Sequence, residues 1–289
     1  MVVLGIRKRA ERCGPWDVTS LQRTRLAYGI EVFGATRSRF HRGSGGAKGV
    51  DTLYLTLTDG FGNNLLLAGT GNDKLSGGSG NEILIGGAGN DTLTTGAGAD
   101  VIAFNRGDGQ DIVNASTGQD NSVSLGGRIA YADLYFRRQQ NDLMLETGNN
   151  EHLNFKNWYA ASANRSVLNL QAFTETMTGY EPNSADPLLN KKIQQFDFQM
   201  LVDAFDQARA ADPLLNRWAL MNKLLDAHIA GSNTEALGGD LAYQYGLNES
   251  LAGIGIAPAQ SILADPHFGS APQTLQPLSA LQQGPVRLS

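Results

Sequence analysis

The chain has 289 residues and a formal net charge of −5, with 35 Gly, 9 Pro, 1 Cys and 41% apolar residues. That length allows two ordinary domains. The lone Cys13 excludes a disulfide framework and a multi-Cys zinc site. No apolar run approaches the roughly 18 residues of a membrane-spanning helix. Charge is uneven: residues 1–48 hold ten Lys/Arg against three Asp/Glu, and residues 59–114 hold two against seven. An acid-rich, Gly-rich block repels polyanions, which argues against nucleic acid as a partner there.

Residues 1–44 are basic and without clear hydrophobic periodicity, and they read as an irregular segment. The opening MVVLGIRKRAERCG has charges where the apolar core of a secretory signal would stand. A basic arm for anionic lipid is the functional alternative to a solvated stretch.

From residue 59 a nine-residue period sets in. The units are DGFGNNLLL (59–67), AGTGNDKLS (68–76), GGSGNEILI (77–85), GGAGNDTLT (86–94) and TGAGADVIA (95–103). Phe104 and Asn105 intervene before RGDGQDIVN (106–114), and GGAKGVDTLY (45–54) reads as a degraded unit upstream. Positions two and four are Gly, which turns tightly where other residues clash. Position eight is Leu66, Leu75, Leu84, Leu93, Ile102 and Val113, one apolar side chain per unit. Position six is Asn64, Asp73, Glu82, Asp91, Asp100 and Asp111.

This pattern resembles the calcium-binding nonapeptide of the RTX family, the haemolysin-type repeats. The resemblance implies a stacked parallel coil, a β-roll, over 45–114, with Ca²⁺ as its cofactor. Such a coil is too thin to bury much apolar area, so metal must supply the missing stabilisation. Ca²⁺ takes six to eight oxygen ligands, which acidic side chains and Gly-rich turn carbonyls offer. If two units make one turn, Asp73 and Asp91 share an ion on one side, and Glu82 and Asp100 do so on the other. Asp111 follows Asp91 by twenty residues because of the insertion, so its pairing is open. Asn64 lacks the charge and predicts a weaker site, while Asp108 sits in a repeat turn as a further ligand candidate. The turn glycines Gly69, Gly71, Gly78, Gly80, Gly87, Gly89, Gly96 and Gly98 complete the expected metal set.

The resemblance continues into IAYADLYFRRQQNDLMLETGNNEHLNFKNWY (129–159), similar to the segment after the roll in such proteins. Its residues predict a hairpin: Leu143 and Leu145 alternate on one strand, Leu153 and Phe155 on the next, and GNN (148–150) turns between them. A β cap over 115–180 would close the coil's open end. Phe155, Trp158 and Tyr159 read as hairpin core, with a carbohydrate platform as the alternative.

Residues 181–249 predict an α-helical region. Asp186-Pro187 and Asp212-Pro213 each resemble an N-cap before a first-turn Pro, and two apolar stripes with helical spacing run through 193–208 and 214–229. His228 is placed on the second stripe as a packed residue. These helices could also serve a protein partner. Residues 250–289 carry only Asp265 and Arg287 and five Pro, an irregular, low-charge tail like an export signal.

The expected fold class is therefore β plus α: a parallel β-roll with a β cap, then helices. The resemblance further implies a secreted, extracellular protein of a Gram-negative bacterium, handed to type I secretion machinery. It implies a non-enzymatic module of a haemolysin- or adhesin-like protein that folds on calcium. The alternative is the non-catalytic tail of a secreted protease or lipase whose enzyme domain lies outside this chain. No Gly-x-Ser-x-Gly, His-Glu-x-x-His or Walker motif occurs in the sequence. Arg106-Gly107-Asp108 spells an adhesion tripeptide, with a calcium-binding turn as its competing reading.

Overall fold

The computed structural model describes residues 62–251 apart from 117 and 119, with short strands at 16–18, 31–33, 38–40, 56–58 and 276–277. The basic segment and the low-charge tail thus lie largely outside the described residues.

Through the repeats, successive strands alternate between two sheets. The first sheet takes Thr56–Thr58, Lys74–Ser76, Thr92–Thr94 and Gln110–Val113. The second takes Leu65–Thr70, Ile83–Ala88, Val101–Phe104 and Asn121–Leu125. Neighbours within each sheet are parallel, and up to residue 104 they are eighteen residues apart: Leu66 pairs with Leu84, Leu84 with Ile102, and Leu75 with Leu93. Two nonapeptides therefore make one turn. The Phe104–Asn105 insertion is absorbed without loss of register, because Val113 still pairs with Leu93.

Both sheets grow past the repeats and become mixed. Glu151–Phe155 adds to the first sheet in parallel, then Asp142–Gly148, Tyr135–Gln139 and Trp218–Ala219 add antiparallel. Val167–Phe173 adds to the second in parallel, then Ile193–Asp197 and His228–Ser232 antiparallel. Glu31–Phe33, in the segment expected to be irregular, pairs antiparallel with Leu65–Leu67 as the eighth strand of the second sheet, so both eight-stranded sheets are mixed and an all-parallel architecture does not describe them whole.

The position-eight row is fully inside. Leu66, Leu75, Leu84, Leu93, Ile102 and Val113 join one core with Leu143, Leu145, Leu153, Phe155, Trp158 and Phe198. The expected hairpin is present, with Leu143 opposite Phe155 and Leu145 opposite Leu153. Asn149 and Asn150 take the left-handed conformation its tight turn needs. Phe155 and Trp158 pack edge-on against Phe198 and are buried, which removes the carbohydrate platform.

The second sheet is covered on its other face as well. Leu65, Ile83, Ile85, Val101 and Ala103 form a separate core with Phe173, Leu241, Ala242 and Tyr243. Leu241 to Tyr243 come from the helix Gly239–Asn248. The outward side chains of the first sheet, by contrast, are polar and partly exposed at Lys74, Ser76, Thr92 and Thr94.

The helical reading of 186–230 needs correction. Residues Ile193–Asp197 form a strand, and only Phe198–Ala211 is α-helical, capped by Asp197, whose side chain accepts the Met200 N–H at 2.9 Å. The second stripe is not a helix: Trp218–Ala219 pairs with Tyr135 and Phe136, and His228–Ser232 with Ile193–Phe196. Its Leu214, Met221 and Leu225 are exposed. Open sheet edges at 135–136 and 193–196 supply hydrogen bonds that override weak helical spacing. The repeated ADPLLN makes the same turn twice. Asp186 Oδ1 accepts the Leu188 N–H at 2.9 Å, and Asp212 Oδ1 accepts the Leu214 N–H at 3.0 Å. These are Asx turns, which share their first hydrogen bond with an N-cap. His228 is on a strand, its Nε2 2.7 Å from Gln194 Oε1, and burial lowers its pKa.

Candidate metal centre

Position six of each unit points inward at the turn and is buried at Asn64, Asp73, Glu82, Asp91, Asp100 and Asp111. The turns stack, so these side chains form two columns. Asp91 Oδ1 accepts the Asp73 N–H at 2.7 Å, and Asp111 Oδ1 accepts the Asp91 N–H at 2.8 Å. That makes one column of Asp73, Asp91 and Asp111. On the other side Asp100 Oδ1 accepts the Glu82 N–H at 2.8 Å, and Asn121 Oδ1 accepts the Asp100 N–H at 2.9 Å. The expected pairs stand together, and the open question at Asp111 is resolved: it continues the Asp91 column.

Position five builds a second ladder in the opposite sense. Asn63, Asn72, Asn81 and Asn90 each use Oδ1 to accept a backbone N–H from the next turn, at 2.8 to 3.0 Å. Each turn is thus tied forward through position five and backward through position six. The glycines allow the stacking distance. A Cβ on Gly89 or Gly98, both at positive φ, would lie 1.6 Å from the carbonyl oxygen of Gly71 or Gly80. Gly69, Gly71, Gly80, Gly87 and Gly96 share the positive φ, and Gly78 does not; its carbonyl accepts the Ala97 N–H. Gly86 has a different role: a Cβ there would lie 2.2 Å from Asp91 Oδ2. The carboxylate fills the space that a side chain at position one would need.

With Oδ1 spent on backbone, Oδ2 is left over. Asp91 Oδ2 is buried and accepts no hydrogen bond. Burial, the largest cause, drives the pKa of Asp91 and of Asp100 up to about 7, and neighbouring carboxylates add to it. Asp111 rises to about 8 through burial and the charge of Asp91. These groups resist ionising without a counter-charge. Among the described residues no three His, Cys, Asp or Glu side chains converge as a metal cluster, so a cation here must also draw on backbone carbonyls. An all-oxygen set of carboxylates and turn carbonyls suits Ca²⁺ rather than a softer metal.

A family model described as the RTX calcium-binding nonapeptide repeat (4 copies) matches residues 56–81 and 76–110. The chain carries RTX repeats. Their cofactor is Ca²⁺. The RTX match ends before the hairpin and the helices. No curated protein matches the chain. No helix among the described residues is long and apolar enough to cross a membrane.

Of the sequence candidates, Asp108 stands apart from the columns. Asp108 is buried and turned toward the C-terminal helix: Tyr245 Oη lies 3.0 and 2.9 Å from its two oxygens, and Oδ2 accepts the Asn105 N–H at 2.7 Å. Asn64 donates from Nδ2 to the Gly62 carbonyl at 2.7 Å. The adhesion tripeptide is not presented, because Asp108 is enclosed and Arg106 is paired with Asp133. Two members were missed. Asn121 falls 21 residues after Asp100, outside the nonapeptide count. The position-five ladder was visible as an Asn at every ninth residue from Asn63 to Asn90.

Proposed function

We propose that residues 62–125 are a calcium-driven folding module of the β-roll type, closed by the hairpin that follows, in a protein exported from the cell. The observation that supports it most is Asp91 Oδ2, a buried carboxylate oxygen with no donor in the middle of an acidic column. Ca²⁺ supplies positive charge and a demand for several hard oxygens. The chain's own residues do the rest. Asp73, Asp91 and Asp111 hold carboxylates in line on one side, and Glu82 and Asp100 on the other. The Oδ1 bonds of Asp91, Asp111 and Asp100 to neighbouring turns fix those three groups, and the Gly-lined turns bring carbonyls close. Asn64 and Asn121 end the second column without charge, so the first column is the stronger binder.

Coupling of metal to folding gives the module its use. Extracellular calcium modules bind at about 10⁻⁴–10⁻³ M, so such sites stay empty at cytosolic calcium levels and fill outside. A chain that stays open inside and closes outside suits type I export and a role in a haemolysin- or adhesin-like protein. The module is read as non-catalytic. Calcium titration of the full chain, followed by calorimetry and circular dichroism, tests it. Saturable binding with a gain of strand signal is expected. An ordered chain with no heat of binding would reject the proposal.

A further inference from the structure

The segment 236–248 is fastened sideways to the repeats by contacts spread along its length. At its start, Leu237 N–H donates to Gln171 Oε1 at 2.6 Å and Gln171 Nε2 donates to the Leu237 carbonyl at 3.1 Å. In its middle, Leu241, Ala242 and Tyr243 cover Leu65, Ile83, Ile85, Val101 and Ala103 on the outer face of the second sheet. At its end, Tyr245 bonds both oxygens of Asp108, Asn105 Nδ2 donates to the Tyr245 carbonyl at 2.8 Å, and Gly127 N–H donates to the Gly246 carbonyl at 2.8 Å. Gly246 lies so close to Phe173 that a Cβ would meet its ring at 2.0 Å. Asp108 belongs to the last turn above Asp91, and its carbonyl accepts the Gly89 N–H at 2.9 Å.

Neither side of this contact is self-sufficient. The helix Gly239–Asn248 has ten residues, below the roughly 12–15 at which isolated helices become even marginal. The outer face it covers is a run of Leu, Ile and Val that would otherwise meet water. We infer that residues 236–248 are a lateral strap whose docking is coupled to calcium loading of the repeats, with Asp108 acting as the tie to Tyr245 rather than as a metal ligand. The coupling rests on the calcium reading above. It is reciprocal: calcium orders the face that the strap needs, and the docked strap raises calcium affinity by the same factor.

Hydrogen exchange of the full chain, with and without calcium, reads the two parts separately, and calorimetry reads affinity. Calcium is expected to protect the amides of 239–248 together with those of 62–113. Tyr245→Phe and Leu241→Ala, which touch no column residue, should each release the strap and weaken calcium binding by about fivefold or more. Protection confined to 62–113, or unchanged calcium affinity in both variants, overturns the coupling while leaving the calcium reading standing. No calcium response in either part overturns both. An unchanged number of bound ions in Tyr245→Phe supports Asp108 as a tie, and loss of an ion overturns that assignment.

Discussion

Asp91 is held from below and holds from above: its Oδ1 accepts the Asp73 N–H at 2.7 Å, and its own N–H donates to Asp111 Oδ1 at 2.8 Å. Asp91→Asn keeps an oxygen for the first bond and removes only the charge. Calcium affinity should fall by about tenfold or more, near 1.4 kcal/mol, with the secondary structure of the loaded form unchanged. Asn64→Ala, at the uncharged end of the other column, should cost much less. Calorimetry on both variants checks the order; equal losses would contradict it.

Acid should stabilise the metal-free fold. Burial raises Asp91 and Asp100 to about 7 and Asp111 to about 8, against about 3.9 in an unfolded chain. Below the unfolded value both states are protonated. Between about 4 and 8 the unfolded chain ionises first, so metal-free stability drops as pH rises. Melting in chelator should therefore give a higher midpoint at pH 5 than at pH 8. Calcium favours the ionised groups, so its stabilising effect should grow over the same range.

Gly86→Ala tests the fit of carboxylate against backbone. The added methyl would sit 2.2 Å from Asp91 Oδ2, and relief by shifting the carboxylate or the turn should cost about 1–3 kcal/mol. Denaturant titration should show that loss together with weaker calcium binding. A loss of stability with unchanged affinity would place the crowding elsewhere.

Phe198 joins the helix Phe198–Ala211 to the hairpin through Phe136, Phe155 and Trp158. Phe198→Ala should cost about 3–5 kcal/mol, read by thermal or denaturant unfolding of the calcium-loaded chain. Met200→Ala, two residues on in the same helix and exposed, should stay within about 0.5 kcal/mol.

The sequence exposed the repeat because each turn needs the same local chemistry: Gly where turns touch, an acid or Asn pointing in, and Leu or Ile facing the core. The hairpin was equally legible, since Leu143, Leu145, Leu153 and Phe155 alternate as a half-buried strand must. The columns followed once two units were taken per turn. Beyond residue 186 the local signal failed. Asp186 and Asp212 make the first bond of a helix N-terminus, but nothing propagates it, and residues 218–219 and 228–232 are claimed by distant strand edges. Those edges are tertiary facts with no local mark. Tyr245 meeting Asp108 across 137 residues is of the same kind.

The alternation of units between two unlike sheets limits how the array can change length. Units ending LLL, ILI and VIA face the C-terminal helix, and those ending KLS and TLT face away. Excising a single nonapeptide would swap the two for everything on one side of the cut, pressing Lys74 and its like under the helix and baring Ile83 or Val101. Only even numbers of units can be gained or lost without that exchange, so eighteen residues, not nine, is the increment in which such a protein can grow.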